Sequence, residues 1–225
     1  MAVQFIGDVT HMGYATGTEV VTLPAFEAGD LCVASYAVDS RYINPSASQV
    51  VASGHTVGVK YNTPGNQLTF ATSWKILAVG DTFSLGPIAG LFSWQRRNVV
   101  VQIFRGVSSL VASDKVFLST ASKYSHAVPD FADSGDLYVA SLYLWSGGGP
   151  WVWSSGPTDF SGRVYTNAAP IVASCYRIAD RIVFPTNAFT STNLANMWGT
   201  TGMLFRSGTT QRRRLTQQSI DGRPF

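Results

Sequence analysis

Short apolar runs alternate with turn residues along almost the whole chain, and helical periodicity is nearly absent. The runs are rich in β-branched and aromatic residues and are bounded by Gly, Pro, Asn or Asp, which is the pattern of β-strands. The one stretch of helical character, residues 192–198, is short and rich in Asn and Thr. The runs that predict strands are residues 20–23, 31–38, 56–61, 67–77, 99–104, 116–118, 137–145, 163–165, 171–179 and 203–205. Many short strands at short spacing predict an all-β sandwich or barrel.

The chain contains an internal repeat. A Pro-x-Phe element followed by Gly-Asp-Leu occurs in residues 24–31 and returns in residues 129–137. Two further matches follow in the same order: Thr-Ser-Trp-Lys-Ile-Leu at 72–77 with Ser-Cys-Tyr-Arg-Ile-Ala at 174–179, and Ile-Phe-Arg-Gly at 103–106 with Leu-Phe-Arg-Ser at 204–207. A repeat of this length is too long for a solenoid unit. The sequence therefore predicts a duplicated fold.

The repeat leaves two arrangements open: two separate immunoglobulin-sized domains, or two halves of one sandwich. Residues 107–124 between the copies are apolar and strand-like, with no Pro/Gly/Ser-rich linker. We therefore predict one β-sandwich over residues 1–206, with half-repeats of about 1–107 and 108–206, followed by an extended C-terminal arm over 207–225.

The repeated residues have predictable structural roles. Gly in Gly-Asp tolerates a positive φ, and the Asp side chain bonds nearby backbone N–H groups in a tight turn. Arg105 and Arg206 each end an apolar strand, where we expect the guanidinium to bind loop carbonyl groups. Trp74-Lys75 and Tyr176-Arg177 suit strands with one buried face and one face along which a long cation extends to water.

The order of these motifs resembles a family of tailed-bacteriophage virion proteins. The residues that carry the resemblance are Pro24, Gly29-Asp30-Leu31, Trp74-Lys75, Gly80-Asp81-Thr82, Phe104-Arg105-Gly106-Val107 and Gly135-Asp136-Leu137, within about residues 3–206. The resemblance implies a jelly-roll-like sandwich and a place among tail appendages, head fibres or capsid decorations. The family's Gly-Trp after the first Gly-Asp-Leu strand is replaced here by residues 47–53, so a role of that Trp is not carried over.

Composition and charge exclude several classes of protein. Charged residues make up 13% of the chain and hydrophobic residues 45%, which favours a large core over disorder. No apolar run reaches the ~18 residues of a membrane span, and Met-Ala-Val-Gln lacks the regions of a secretory signal. The net charge of +3 lies mostly in Arg96-Arg97 and Arg212–Arg214, without the basic face of a nucleic-acid binder. We expect synthesis in a host cytoplasm, location on the virion, and no membrane or nucleic-acid partner.

Catalytic and metal-binding motifs are absent from the sequence. His11, His55 and His126 have no metal-ligand spacing, and we expect them on the surface or in turns. No Gly-x-Ser-x-Gly, P-loop or Cys-x-x-Cys occurs. Cys32 and Cys175 lie in apolar runs and are predicted to be buried thiols, with a disulfide as the alternative. We expect no enzyme activity, cofactor or metal, although a glycosidase pair of carboxylates would converge only in three dimensions.

The strongest candidate for ligand binding is a segment with three tryptophans in nine residues, Trp145, Trp151 and Trp153. Its glycines allow the backbone to turn freely, and three rings together suit a platform on which sugars stack. The alternative is that Trp151 and Trp153, two residues apart, share one strand face and fill the core.

Residues 207–225 differ from the rest of the chain because they are polar, basic and rich in Gln. They form either a disordered terminus or an arm that orders on a neighbouring subunit. In the second case the partner-binding residues are Arg212, Arg213 and Arg214, which pair with acids, and Leu215 and Phe225, which act as apolar anchors.

The sequence thus leads to one function and two alternatives. The first is a phage virion structural protein on the particle surface, which contacts copies of itself and other virion proteins. The second is a carbohydrate-binding host adhesin, and the third is a polysaccharide-active enzyme.

Overall fold

The computed structural model describes residues 2–118, 123–125, 135–145, 153–155, 160–178, 188–191 and 197–208. In the first half the strands are β1 (Gln4–Tyr14), β2 (Glu19–Val21), β3 (Leu31–Asp39), β4 (Thr56–Asn62), β5 (Leu68–Ile76), β6 (Phe83–Leu85) and β7 (Arg96–Arg105). In the second half they are β8 (Val107–Leu118), β9 (Lys123–Ser125), β10 (Leu137–Trp145), β11 (Trp153–Ser155), β12 (Ser161–Tyr165), β13 (Ile171–Ile178), β14 (Ala188–Ser191) and β15 (Met197–Ser207). An α-helix, α1 (Ala47–Val50), and a 3-10 turn (Pro64–Asn66) complete the described elements. The predicted all-β fold is confirmed.

Two five-stranded antiparallel sheets repeat one strand order. The first sheet has the order β1-β7-β3-β5-β4, and the second, written in the same direction, has the order β8-β15-β10-β13-β12. Two smaller sheets, β2-β6 and β11-β14-β9, repeat the pairing of β2 with β6 as that of β9 with β14. The two Gly-Asp-Leu strands, β3 and β10, hold the central position of their sheets. This equivalence confirms the duplication that the sequence predicts.

The two large sheets pack face to face, so their central strands are buried on both sides. Leu31 and Val33 of β3 share one apolar cluster with Leu137 and Val139 of β10. The alternate residues of each strand point outward into two separate cores, one for each half. All nine residues of β3 are therefore buried. This double burial explains the almost continuous apolar runs in the sequence.

Contacts between the large sheets are reciprocal, as in a symmetric dimer. The hydroxyl groups of Ser35 and Ser141, which are equivalent residues of the repeat, lie 2.7 Å apart and share a hydrogen bond. Trp74 packs edge-on against Phe205 at 6.2 Å, and its equivalent Tyr176 packs edge-on against Phe104 at 5.1 Å. A residue meets its own equivalent only on a two-fold axis. A pseudo-two-fold axis therefore passes near the serine pair.

The repeated Gly-Asp-Leu motifs form one end of the molecule, which we call the charged end. Gly29 and Gly135 have φ values of 94° and 89°, the left-handed region that the motif predicts. Asp30 accepts two bonds from Arg105 at 2.9 and 3.0 Å, and the equivalent Asp136 pairs with Arg206 at 3.0 Å. Both arginines thus have a buried Asp carboxylate as partner, which is a stronger acceptor than the loop carbonyls that the sequence led us to expect.

The edge strands of the large sheets carry β-bulges. The pairing shifts at Ile6 in β1 and at Val111, the equivalent position, in β8. It also shifts at Gly58 in β4 and between Ser161 and Val164 in β12. The central pairings of β3 and β10 with their neighbours have unbroken register. Bulges twist an edge away from the flat template that another strand needs, so they oppose edge-to-edge association.

Some elements differ from the prediction or were not predicted. The strand runs do not include β1, because Gly7, Asp8 and Gly13 interrupt its apolar pattern. α1 was not predicted; it begins with a capping box between Ser46 and Gln49. None of the helices formed by the described residues is long and apolar enough to cross a membrane.

The prediction for the two cysteines is confirmed. Cys32 and Cys175 are both buried, and no disulfide joins them. Burial raises the pKa of the Cys32 thiol to about 12, so this side chain stays protonated and unreactive at neutral pH.

Candidate functional site

The end of the sandwich opposite the charged end exposes a group of aromatic rings. Here β3 and β10 end and β7 begins. We call this surface the aromatic end and define it by Arg41, Tyr42, Phe92, Trp94 and Trp145. Tyr42 is 78% exposed, Phe92 52% and Trp94 47%. A group of exposed aromatic rings is an informative surface feature and marks a candidate binding site.

The rings and one guanidinium group form a continuous stack. The Arg41 guanidinium carbon lies 4.4 Å from the centre of the Trp94 ring and 4.8 Å from that of Trp145. Trp94 stacks on Phe92 at 5.7 Å with an angle of 4° between the ring planes, and Phe92 meets Tyr42 edge-on at 6.3 Å. Cation–π and aromatic contacts of this kind contribute roughly 0.5–1.5 kcal/mol each. The stack joins loops from both halves of the molecule.

A carboxylate fixes the guanidinium at the centre of the stack. Asp39 accepts bonds from Nε and Nη2 of Arg41 at 3.0 and 2.8 Å. These bonds raise the pKa of Arg41 above its ordinary value, so the group is permanently charged. The paired carboxylate partly offsets that positive charge.

A buried amide holds the two aromatic loops together. The Gln95 side chain is fully buried. It donates to the carbonyl oxygens of Asp39 and Arg41 at 3.1 Å and accepts from the backbone N–H of Phe92 at 2.7 Å. One side chain thus satisfies three backbone groups from two loops that are distant in sequence. The aromatic end is preorganised by these bonds.

The predicted tryptophan platform is only partly within the described residues. Trp145 is partly buried, and its ring contacts Arg41 instead of standing free. Trp151 lies outside the described residues. The backbone of Trp153 belongs to β11 and pairs with Ser191 of β14. A platform formed by all three rings therefore remains a prediction. The predicted partner-binding residues Arg212, Arg213, Arg214, Leu215 and Phe225 also lie outside the described residues.

A histidine, a serine and a tyrosine form a buried polar network in the outer core of the first half. The His55 ring Nδ1 lies 3.0 Å from the Ser73 hydroxyl, which is 2.7 Å from the Tyr36 hydroxyl. Desolvation lowers the pKa of His55 to about 4, so the imidazole is neutral at pH 7. A serine beside a neutral histidine has the chemistry of an activated nucleophile. Ser73 is fully buried, however, and its hydroxyl is closed to any substrate.

The histidine predictions have mixed outcomes. His55 directly follows a turn, as predicted, although its ring points inward. His11 lies within the edge strand β1 and not in a turn, and its ring is partly exposed beside the Glu19 carboxylate. His126 lies outside the described residues. In the part of the chain that the structure describes, no three His, Cys, Asp or Glu side chains are grouped as metal ligands.

A shallow cleft lies where β4 of the first half meets β8 of the second. It has a volume of about 270 Å³ and is lined by Gly58, Val59, Lys60, Ser113 and Lys115. Lys60 donates to the Asn44 side chain at 3.2 Å, and the Lys115 ammonium lies 5.2 Å from the centre of the Tyr61 ring. Because both ammonium groups are directed at neighbouring side chains, the cleft is a weaker candidate than the aromatic end.

The fold and the site define an all-β sandwich of two duplicated halves with an exposed aromatic stack at one end. Comparison of this chain with family models, with curated proteins and with solved structures finds no match.

Of the residues at the aromatic end, the sequence analysis named Trp145 but did not identify Arg41, Tyr42 or Phe92. Each of these looked like an ordinary loop residue, and the only available signal was the density of aromatic residues in 91–94.

Proposed function

We propose that this chain is a structural protein of a tailed-bacteriophage virion, displayed on the particle surface as a decoration, head fibre or tail appendage. The observation that supports the proposal most is the position of the motifs that resemble this family. Gly29-Asp30 with Arg105, and Gly135-Asp136 with Arg206, form the same ion pair at the same end of both halves. The shared motifs are therefore structural ones, as expected of proteins that share a scaffold.

The packing of the chain also supports a structural role. The chain forms three apolar layers, one between the two large sheets and one on the outer face of each. Bulges on all four outer strands of the large sheets oppose strand addition. Assembly would then use loops, ends and the C-terminal arm, where we place contacts with neighbouring copies and other virion proteins through Arg212–Arg214, Leu215 and Phe225.

The first experiment asks whether the chain is part of a particle. Particles purified from a lysate of the phage that encodes the chain are analysed by mass spectrometry and by immunogold electron microscopy. We expect the chain at a fixed copy number, with antibody on the particle surface. Purified particles that contain the capsid, portal and tail proteins but lack this chain would contradict the proposal.

The second experiment tests the arm. Deletion should follow Gly208, because Ser207 donates its backbone N–H to Asp136 at 3.0 Å and Gly208 donates to Gly106 at 2.7 Å. We expect residues 1–208 to keep the circular dichroism spectrum and melting temperature of the full chain but to be missing from particles. The full-length triple variant R212A/R213A/R214A separates the role of the arginines from that of the apolar anchors. Normal incorporation of the truncated chain would show that the arm has no assembly role.

A further inference from the structure

The aromatic stack is not a repeated feature: four of its five side chains belong to the first half, and only Trp145 comes from the second. By the repeat, Arg41 and Tyr42 correspond to Gly147 and Gly148. The residues that both halves share form strands, bulges and ion pairs. Side chains that one half alone carries and exposes to water need another explanation, and binding is the usual one.

Backbone strain at the most exposed ring supports a binding role. Tyr42 has a φ of 76°, and it is the one non-glycine residue with a positive φ among those described. A bulky residue in this conformation is strained, and such residues are typical of ligand sites, where the surrounding structure fixes them. The strained tyrosine precedes Ile43, whose N–H bonds the Ser40 carbonyl at 3.0 Å. The fold thus holds the Tyr42 ring outward at a cost.

The chemistry around the rings distinguishes a sugar from a protein partner. The exposed side chains of residues 40–46 and 90–96 are aromatic, hydroxyl, amide or guanidinium groups, while Ile43 and Leu91 turn inward to the core. Protein interfaces are also enriched in aromatic and Arg side chains, but around a buried core that is more apolar than the rest of the surface. Aromatic faces carry partial negative charge and attract C–H groups of partial positive charge, which line the faces of a sugar ring.

Polar groups beside the rings complete such a site. The Arg41 guanidinium has five N–H donors, of which Asp39 takes two, and its side chain is 35% exposed. Asn44 and Ser93 are exposed next to Tyr42 and Phe92 along the chain. Sugar hydroxyl groups bond readily to amide, hydroxyl and guanidinium groups. We infer that the aromatic end is a saccharide-binding site in which Tyr42, Phe92 and Trp94 contact sugar rings and Arg41 donates to their hydroxyl groups.

The inference does not depend on the chain being a virion component, and it is tested with the full-length protein alone. The probes are arrays of oligosaccharides that include bacterial O-antigen and capsular fragments, followed by titration calorimetry with the fragment that binds best. Loss of one stacking ring costs roughly 1.4 kcal/mol, which is tenfold in affinity. We expect Y42A, F92A and W94A each to weaken binding about tenfold, with unchanged circular dichroism spectra.

A matched control lies at the other end of the molecule. Val79 is 88% exposed in a turn beyond β5, at the charged end, so V79A should leave binding unchanged. Two results would overturn the inference. One is that no oligosaccharide on the arrays binds. The other is that Y42A and W94A leave sugar binding intact but dissociate an oligomer of the chain in light scattering, which would make the aromatic end a protein interface.

Discussion

The two halves of this molecule share one plan at the charged end and differ at the aromatic end. Both halves place an Asp at the start of the central strand and an Arg at the end of the strand beside it in the sheet. The two Asp carboxylates are buried. Only the first half ends its central strand with Asp39 and continues with Arg41 and Tyr42, where the second half has Trp145 and then glycines. The comparison is an internal control: the shared features belong to the fold, and the unshared ones are candidates for function.

The outer cores of the halves differ in the same informative way. In the first half, Tyr36, Ser73 and His55 form a polar network. The repeat aligns these residues with Leu142, Cys175 and Phe160, which are buried together in the second half. The strand framework therefore accepts either a polar or an apolar core. The His55 network is a local variation, which fits its lack of access to solvent.

The largest expected effect tests the reciprocal interface. F104A and F205A remove equivalent buried rings, each packed against the aromatic residue of the other half. Deleting a buried Phe side chain costs about 4 kcal/mol. We expect both variants to lower the free energy of unfolding by similar amounts in urea titrations, with a single transition for the whole chain. Two separate transitions, one unaffected by each variant, would show that the halves fold independently.

The next effect separates the two outer cores by pH. His55 has a pKa of about 4 in the folded chain, below its ordinary value of 6.5, because burial disfavours the charged imidazole. As pH falls through 6.5 the unfolded chain binds a proton that the folded chain does not bind until about pH 4. The free energy of unfolding should therefore fall by about 3 kcal/mol across this window on account of His55.

The matched variant for this test is H55F, which copies Phe160 of the second half. Its stability should be close to that of the wild type at pH 7 and should exceed it by about 3 kcal/mol at pH 4. Most carboxylates titrate alike in both proteins, so the difference between the two curves isolates His55 together with its interaction with Asp81. Parallel curves for the two proteins between pH 7 and pH 4 would mean that the imidazole is solvated in the folded chain.

The sequence was sufficient for the features that repeat within it. Gly-Asp-Leu and the aromatic-Arg strand ends appear twice, so the equivalence of β3 with β10 was predictable, as was the burial of Cys32. The partner of Arg105 was not, because Asp30 lies 75 residues away and only strand order brings them together. The aromatic end depends on similar distant contacts, such as that of Gln95 with Asp39. Local patterns carry no signal for such pairs.

The smallest effect concerns strain at the aromatic end. Asn adopts a positive φ more readily than Tyr, so Y42N should relieve a backbone cost of about 1 kcal/mol. It also removes the edge-on contact with Phe92, which contributes roughly 0.5 kcal/mol at an exposed position. We therefore expect the free energy of unfolding to rise by about 0.5 kcal/mol in Y42N, whereas most substitutions lower it.

F92N, at a residue without a positive φ, is the control and should be destabilising by up to about 1 kcal/mol. A variant that gains stability while losing sugar affinity would show that this strain is retained for binding. Equal destabilisation by Y42N and F92N would instead mean that Tyr42 is held outward by packing alone.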